Sequence, residues 1–230
     1  MRLIVKIWNN NKGLILFIFL MLFFRTAIAD WYHVPSGSMK PNILIGDRVW
    51  VDKLAYDVKI PLTDINLNRH SEPQRGDVIV FNSAVSNDRL IKRVIAIPGD
   101  IVSMQGNQLF INHQPLELKL DRQYQSASNN TESHHLVFLE ELAQTMNHEP
   151  PSRYSVQYNA NIDYRYSFGP IEVKSDHLWV MGDNRDNSAD SRVIGLVPRA
   201  ELVGRAKRVV ISFDKNNYYL PRSGRFLERL

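Results

Sequence analysis

Two serine hydroxyls flank a glycine at Ser36-Gly37-Ser38, inside a heptapeptide, Pro35–Pro41, that has a proline at each end. A glycine here permits unusual backbone angles or a close approach by another part of the chain. One of the hydroxyls could attack a carbonyl carbon if a nearby base removed its proton. The heptapeptide is equally typical of an ordinary Ser/Gly turn, so on its own it leaves both interpretations open.

A base for such a serine could come from Leu90–Ile97, an apolar segment with two adjacent cations, Lys92 and Arg93, at its centre. Successive side chains of a strand point to opposite faces, so at least one cation must face an apolar layer. Burial lowers the pKa of a lysine, whereas arginine stays charged. From a reference near 10.4, a pKa of about 7.4 requires roughly 4 kcal/mol, which burial can supply. Neutral Lys92 could then act as the base of a Ser-Lys mechanism; the alternative is an ion pair between Lys92 and an acid.

A third polar segment, Gly182–Arg192, is dense in Asp, Asn, Ser and Arg. The alternation of its charges predicts two ion pairs, Asp183 with Arg185 and Asp190 with Arg192. Such pairs would form a fixed polar network that braces a site. An ordinary charged loop is the alternative.

The elements that must position these residues are predicted to be mainly β. Short runs with strand periodicity occur at Arg48–Val51, Val78–Phe81, Leu90–Ile97, Leu109–Ile111, Leu178–Val180 and Arg208–Ser212. We expect antiparallel sheets that form a catalytic core in two parts, residues 30–101 and 177–230, with a smaller β subdomain, residues 102–176, inserted between them. The polar stretch 122–135 is expected to form an exposed loop, and the tail after residue 213 to be poorly ordered.

The amino terminus combines a basic stretch, residues 1–12, with an unbroken apolar run, Leu14–Phe24. Gly13–Ala29 makes seventeen residues, close to the lower limit of about 17 for a helix that crosses a bilayer. We expect a transmembrane anchor over 13–29, with a cytoplasmic terminus and residues 30–230 outside the cytoplasm. Because Ala27-Ile28-Ala29 is also typical of a cleavage site, a removable signal peptide is the alternative. Under both interpretations, residues 30–230 lie outside the cytoplasm.

The composition excludes several classes of site. The 230 residues include no cysteine, which rules out disulfides, thiolate zinc sites and a cysteine nucleophile. The first 29 residues contain four basic residues and no acid, so the remaining 201 carry 24 basic and 24 acidic residues. A formally neutral body argues against nucleic acid as a partner. No metal site and no cofactor are expected.

Three blocks of sequence together resemble the bacterial type I signal peptidase family. They are Pro35-Ser-Gly-Ser-Met39, Arg75–Phe81 continuing to Ile91–Asp100, and Gly182–Arg192, in the family's order and spacing after a membrane segment. The resemblance covers most of residues 25–210. The chain has a single predicted span, whereas many Gram-negative members have a two-span layout with a long cytoplasmic segment. It also has Lys40-Pro-Asn-Ile43 where the family more often has Pro-Thr-Leu.

The resemblance implies a role for each matching residue. It implies that Ser38 is the nucleophile, that Lys92 is the general base, and that the Ser36 hydroxyl and the Ser38 N–H form the oxyanion hole. It further implies that Ser188 orients Lys92. The residues that would hold the site together are Asp183, Arg185, Asp190 and Arg192. Small substrate pockets specific for Ala-x-Ala sequences would be lined by Val34, Met39, Ile43, Leu90 and Ile91.

The resulting hypothesis is a single-pass serine endopeptidase at the outer face of the bacterial cytoplasmic membrane. Its partners would be membrane-bound preproteins and the phospholipid bilayer, with the secretion translocon as a candidate. Two alternatives remain open at this point. One is a Ser-Lys protease dedicated to a single envelope or conjugation substrate, and the other is a non-catalytic envelope β-domain that binds a partner through 122–135.

Overall fold

The computed structural model describes residues 2–60, 63, 65–128, 131–143, 151–162, 166–215 and 217–230. The helices are α1 (Arg2–Ala27), α2 (Ser191–Ile194) and a 3-10 turn (Arg199–Glu201). Almost all other regular structure is strand, and every strand pairing in the sheets is antiparallel. The prediction of a mainly β chain with antiparallel sheets is therefore confirmed.

The described part of the chain forms eighteen strands. They are β1 (Ala29–His33), β2 (Asp47–Asp52), β3 (Asp57–Lys59), β4 (Asn66–Arg69), β5 (Val78–Ser83), β6 (Asp88–Ala96), β7 (Ile101–Gln105), β8 (Gln108–Ile111), β9 (Gln114–Pro115), β10 (Leu118–Ser128), β11 (Thr131–Leu142), β12 (Ser152–Asn159), β13 (Phe168–Glu172), β14 (His177–Met181), β15 (Val197–Pro198), β16 (Leu202–Asp214), β17 (Leu220–Pro221) and β18 (Glu228–Arg229).

The largest sheet contains or adjoins the segments that the sequence analysis singled out as candidate active-site segments. Its strands run in the order β1-β2-β16-β5-β6-β14-β15, and β17 and β18 pair with β16. The central strand β5 is buried on both faces. Val78 and Val80 pack into one apolar cluster, whereas Ile79 and Phe81 pack into another. This two-sided burial gives β6, the neighbour of β5, a dry environment on both sides.

The residues between β6 and β14 build smaller sheets. Strands β10-β11-β12 form one, β13-β7-β8-β9 another, and β3 pairs with β4 elsewhere. An apolar cluster joins these strands to the ends of β6 and β14, through side chains such as Ile95, Leu109, Val156 and Trp179. The division into a core and an inserted subdomain at 102 and 176 stays a prediction.

The predicted loop over 122–135 is wrong for the described residues. Residues 122–128 belong to β10 and residues 131–135 to β11, and the two strands pair from Leu118↔Glu140 to Ser128↔Thr131. Residues 129 and 130 lie outside the described residues. A polar sequence can form this ribbon because the cross-strand hydrogen bonds come from the backbone. The tail after 213 likewise contains short strands, β17 and β18, which lie against β16.

Helix α1 includes most of the predicted anchor over 13–29, and its end is tied to β1 by an ion pair between Arg25 and Asp30 at 2.9 Å. Among the residues that the structure describes, no helix has the length and apolar character needed to cross a bilayer. The transmembrane crossing stays a prediction.

Gly46 ends the segment that connects β1 to β2. Its φ is +95°, and a Cβ there would lie 2.1 Å from the carbonyl oxygen of Phe213 on β16. Gly99 has a similar φ of +88° but nothing within 4 Å of its would-be Cβ. Both Gly→Ala variants should lose about 1–2 kcal/mol from left-handed strain. Gly46→Ala should lose about 1–3 kcal/mol more from overpacking, as measured by denaturant unfolding. Equal losses in the two variants would contradict the close approach.

Candidate active site

Ser38 lies in the connection between β1 and β2, held by buried apolar neighbours. Met39 and Ile43 are fully buried and pack with Val34 in the cluster beneath the connection. The Ile43 N–H donates to the Met39 carbonyl at 2.9 Å, which closes a turn directly after the serine. Ser38 itself is only 7% exposed. Its position is therefore fixed by packing and does not depend on a mobile loop.

The segment after β14 clamps the backbone on either side of the serine. The Asn184 N–H donates to the Ser38 carbonyl at 3.0 Å, and Asn184 Nδ2 donates to the Gly37 carbonyl at 3.0 Å. Gly182 allows this approach, because a Cβ at that position would lie 2.5 Å from the Ser38 carbonyl oxygen. The third sequence block thus contacts the first directly.

Lys92 reaches Ser38 from strand β6. Its Nζ donates to Ser38 Oγ at 2.7 Å, and only 3% of the residue is exposed. Among the ion pairs of the described residues, none involves Lys92; the carboxylates of Asp183 and Asp190 are paired with arginines. The alternative of a Lys92 ion pair is therefore not what the structure contains.

Burial lowers the pKa of Lys92 from 10.5 to about 8. The carboxylates of Asp190 and Asp183 oppose this shift, and Arg192 adds to it. A useful fraction of the amine is thus neutral near neutral pH, and it lies within hydrogen-bonding distance of the hydroxyl it would deprotonate.

Ser36 lies beside the nucleophile candidate but is exposed. Its Oγ is 3.4 Å from Ser38 Oγ. No hydrogen bond within the described residues uses the Ser38 N–H. The Ser38 N–H thus has no internal acceptor, whereas the Ser36 hydroxyl contacts Ser38 Oγ; the oxyanion-hole role of both groups stays a prediction.

Asp183 connects three parts of the site. It accepts hydrogen bonds from Arg93 Nε at 2.9 Å and Nη2 at 2.8 Å. Asn42 Nδ2, from the turn after Ser38, donates at 2.7 Å to Asp183 Oδ2, the same oxygen that accepts from Arg93 Nη2. The Arg93 guanidinium also lies 4.0 Å over the Tyr154 ring. Through Asp183, the nucleophile segment is joined to the strand that carries Lys92.

The predicted pairing of Asp183 with Arg185 is wrong. Asp183 faces Arg93 on β6, whereas Arg185 forms two hydrogen bonds to Glu140 on β11, one of them at 3.1 Å. The chain leaves β14 at this point and runs between two sheets, so alternate side chains meet different partners. A parallel bridge from Gln157 to the intervening Asn184 marks this contact with β12.

The predicted pairing of Asp190 with Arg192 is present. Two guanidinium nitrogens donate to the Asp190 carboxylate, each at 2.8 Å. The same carboxylate accepts the Gly182 N–H at 2.9 Å. Burial raises the pKa of Asp190, but the hydrogen bond and charge of Arg192 outweigh it, so the pKa is lowered overall. Asp190 therefore stays ionised and fixes the backbone at Gly182.

Ser188 is close to the site but not bonded to the lysine. A Cβ on Gly182 would lie 2.2 Å from Ser188 Oγ, so this hydroxyl borders the Ser38 segment. Within the described residues, Ser188 Oγ makes no hydrogen bond to Lys92, and its hydroxyl instead helps to lower the pKa of Asp190. Its role of orienting Lys92 stays a prediction.

The predicted pocket residues fall into two groups. Val34, Met39 and Ile43 are buried in one apolar cluster, with Ile91 partly exposed at its edge. Leu90 packs instead against the cluster on the other face of the sheet. The structure therefore places four of the five side chains in one cluster and Leu90 in another, and the specificity assigned to them stays a prediction.

Sequence reasoning missed Asn42, Asn184 and Glu140. Each acts on a residue far away in the chain: 141 positions for Asn42 with Asp183, 147 for Asn184 with Gly37, and 45 for Glu140 with Arg185. No short-range sequence pattern predicts contacts between residues so far apart in the chain. The only signal was that Asn184 lies inside the block Gly182–Arg192 and that Asn42 directly follows the heptapeptide Pro35–Pro41.

The cost of burying Lys92 can be measured through Lys92→Met, which keeps the side-chain volume. The pKa of Lys92 is about 8 in the folded protein, and its usual value is 10.5. The loss of folding stability caused by burying the amine is therefore largest below pH 8 and disappears as pH rises through 10.5. Lys92→Met should therefore gain stability, by roughly 3 kcal/mol at most at pH 7. The gain should shrink steadily above pH 8. Unfolding by urea at several pH values checks this, and a gain that does not change with pH would contradict it.

Comparisons with known proteins agree on one family. The family model described as signal peptidase, peptidase S26, matches residues 7–211. A signal peptidase I of Pseudomonas fluorescens is 35% identical over 210 residues, covering 86% of this chain and 70% of that protein. A signal peptidase I of Pseudomonas aeruginosa is 31% identical over 223 residues, covering 90% and 74%. A signal peptidase I of Aquifex aeolicus is 33% identical over 216 residues, covering 84% and 80%.

Proposed function

The chain belongs to the signal peptidase family, peptidase S26, and from that membership we propose that it is a serine endopeptidase that removes signal peptides from exported preproteins. The observation that supports this most directly is the 2.7 Å hydrogen bond between Lys92 Nζ and Ser38 Oγ. A buried amine with a lowered pKa beside a fixed hydroxyl is what a Ser-Lys mechanism needs.

In the proposed acylation step, neutral Lys92 takes the proton of Ser38 while Ser38 Oγ attacks the scissile carbonyl carbon. The Ser38 N–H and the Ser36 hydroxyl donate to the resulting oxyanion. The Lys92 ammonium then gives its proton to the departing amine, and the C–N bond breaks. In deacylation a water molecule attacks the ester, Lys92 accepts its proton, and Ser38 Oγ recovers a proton as the new carboxyl group leaves.

We also propose that α1 attaches the chain to the membrane. Most of the described side chains of residues 14–24 are exposed and apolar, and Phe17 and Phe19 are each more than 60% exposed. Trp31, just past the helix, is 48% exposed and stacks with Arg25 at 5.3 Å, a pairing suited to a membrane interface. Attachment would hold the site close to substrates that are themselves held in the membrane.

Ser38→Ala should reduce cleavage of a synthetic signal-peptide substrate by about 10⁴-fold or more, because the nucleophile is lost. Ser36→Ala should have a smaller effect of about 10²- to 10³-fold, which is typical for loss of one oxyanion donor. The measurement is kcat/KM of each purified variant for cleavage of that substrate. Ser175→Ala, at an exposed serine far along the chain, serves as the control and should match the parent. Full activity of Ser38→Ala would exclude Ser38 as the nucleophile, whereas no cleavage by the purified parent would favour the non-catalytic alternative.

The pH dependence should report the lysine. Because the active form is the neutral amine and the pKa is lowered to about 8, kcat/KM should rise about tenfold per pH unit below 8 and level off above it. A profile measured between pH 6 and 10 on a soluble peptide checks this. A rising limb centred near 10.5 would mean that burial does not tune the amine, and a flat profile would exclude Lys92 as the base.

A further inference from the structure

A cleft of about 570 Å³ lies where α1 ends and β1 begins, away from Ser38. Its walls include the last residues of the helix, Thr26 and Ala27, and three cationic side chains, Lys53, Lys59 and Arg89. None of these residues takes part in the proposed reaction. The position of the cleft at the base of an exposed apolar helix calls for a physical explanation.

The acids in the cleft do not cancel its cations. Asp30 and Glu201 line the same space. Asp30 pairs with Arg25, a further cation, at 2.9 Å and with Lys53 at 3.8 Å. Within the described residues, Glu201 accepts only a backbone N–H, that of Ala84, at 3.3 Å. Three cations line the cleft with two carboxylates, and Asp30 is also paired with Arg25 outside the lining, so the cleft is net positive.

Two of the cations have donors to spare. Lys59 Nζ donates to the Leu202 carbonyl at 2.7 Å, which uses one of three N–H bonds. Arg89 Nε donates to Asn82 at 2.8 Å, and its guanidinium lies 4.8 Å over the Tyr32 ring. Within the described residues, neither terminal NH₂ group of Arg89 has an acceptor. A guanidinium fork and an ammonium on one cleft are suited to phosphate oxygens.

Lys53 closes the helix end of the cleft. Its Nζ donates to the Arg25 carbonyl at 2.8 Å, where α1 exposes its last carbonyl groups. Burial lowers the pKa of Lys53; Asp30 opposes the shift, and Arg89 and Arg25 add to it. An anion in the cleft would relieve this concentration of positive charge.

Exposed apolar side chains of α1 lie within two helical turns of Thr26 and Ala27, the helix residues that line the cleft. Leu20, Leu22 and Phe24, in the last two turns of the helix, are 42–55% exposed. A ligand with a phosphate at one end and hydrocarbon at the other could therefore contact the cations and the helix together. A free phosphate would use only the cations.

We propose that this cleft binds the phosphate group of an anionic phospholipid, with the acyl chains lying along α1. The proposal rests on the membrane attachment proposed above. A bound headgroup would fix the height of the catalytic sheet relative to the bilayer, since β1 leads from the cleft to the Ser38 segment.

The test uses the full chain in detergent, titrated with dihexanoyl phosphatidylglycerol, and compares the parent with Lys59→Gln/Arg89→Gln. Glutamine keeps a donor for the Leu202 carbonyl and for Asn82 while removing both charges. Kd should weaken by about tenfold or more for each lost charged donor. Dihexanoyl phosphatidylcholine, whose choline adds a cation to a cationic cleft, should bind the parent more weakly.

The matched control is Lys119→Gln/Lys207→Gln, which removes the same net charge outside the cleft. Val51 on β2 pairs with Asp30 of the cleft on one side and with Ala206 on the other. Lys207, the residue after Ala206, therefore lies at the same level along the strands as the cleft. This control should stay within about twofold of the parent. An equal loss of lipid affinity in both double variants would mean that the lipid responds to general surface charge. No loss of affinity in the cleft variant would mean that the lipid does not occupy the cleft. Either result overturns the proposal.

Inorganic phosphate at constant ionic strength separates the two sources of the ligand. Weaker binding of inorganic phosphate than of the lipid supports a headgroup, whereas equal affinity would overturn the lipid assignment. Cleavage of a soluble signal peptide is measured in the same detergent without lipid. The parent and both pairs should cleave alike. Absence of cleavage in all three would refute the proposed function, while the lipid titration would still decide the cleft.

Discussion

Lys92 is held within 2.7 Å of Ser38 Oγ in a place that water hardly reaches, and every other feature of the site bears on that contact. Burial disfavours the charged amine, while two nearby carboxylates, Asp190 and Asp183, favour it. Both carboxylates are already bound to arginines, Arg192 and Arg93, which weakens their attraction for the lysine. Because burial then prevails, the pKa falls to about 8 and the amine can act as a base.

The same ion pairs also fix the geometry. Asp183 holds Arg93 on β6 and Asn42 beside the nucleophile, and Asp190 holds the Gly182 backbone against the Ser38 segment. A buried pair of this kind contributes little net stability, since desolvation offsets attraction, but losing one partner leaves a costly unpaired charge. The pairs thus act mainly to define a single arrangement of the serine and the lysine. This explains why a polar loop far along the chain belongs to the same site.

The contact between Ser38 and Lys92 was easier to predict from sequence than the contacts that support it. Ser38 and Lys92 stand out because a hydroxyl beside glycine and a lysine in an apolar strand are local patterns, and strand alternation alone implied burial. The Asp183–Arg185 pairing failed because spacing along the chain does not reveal that β6 and β11 approach from different sides. The ribbon over 122–128 and 131–135 was missed for a similar reason, since its stability comes from cross-strand backbone bonds rather than from an apolar pattern. Asn42 and Asn184 become visible only once distant segments are brought together.

The arrangement also explains how the fold can contain an unpaired buried lysine at all. The central strand β5 is covered on both faces, so its neighbour β6 is held rigidly enough to present Lys92 without solvent. The free energy lost by burying an amine is then met by a large apolar core and not by a local partner, because a local carboxylate would restore the charge and remove the base. A site of this type therefore depends on the packing of its sheet. Loosening the core would admit water to Lys92 and raise its pKa toward 10.5. The base would then weaken although neither Ser38 nor Lys92 had changed.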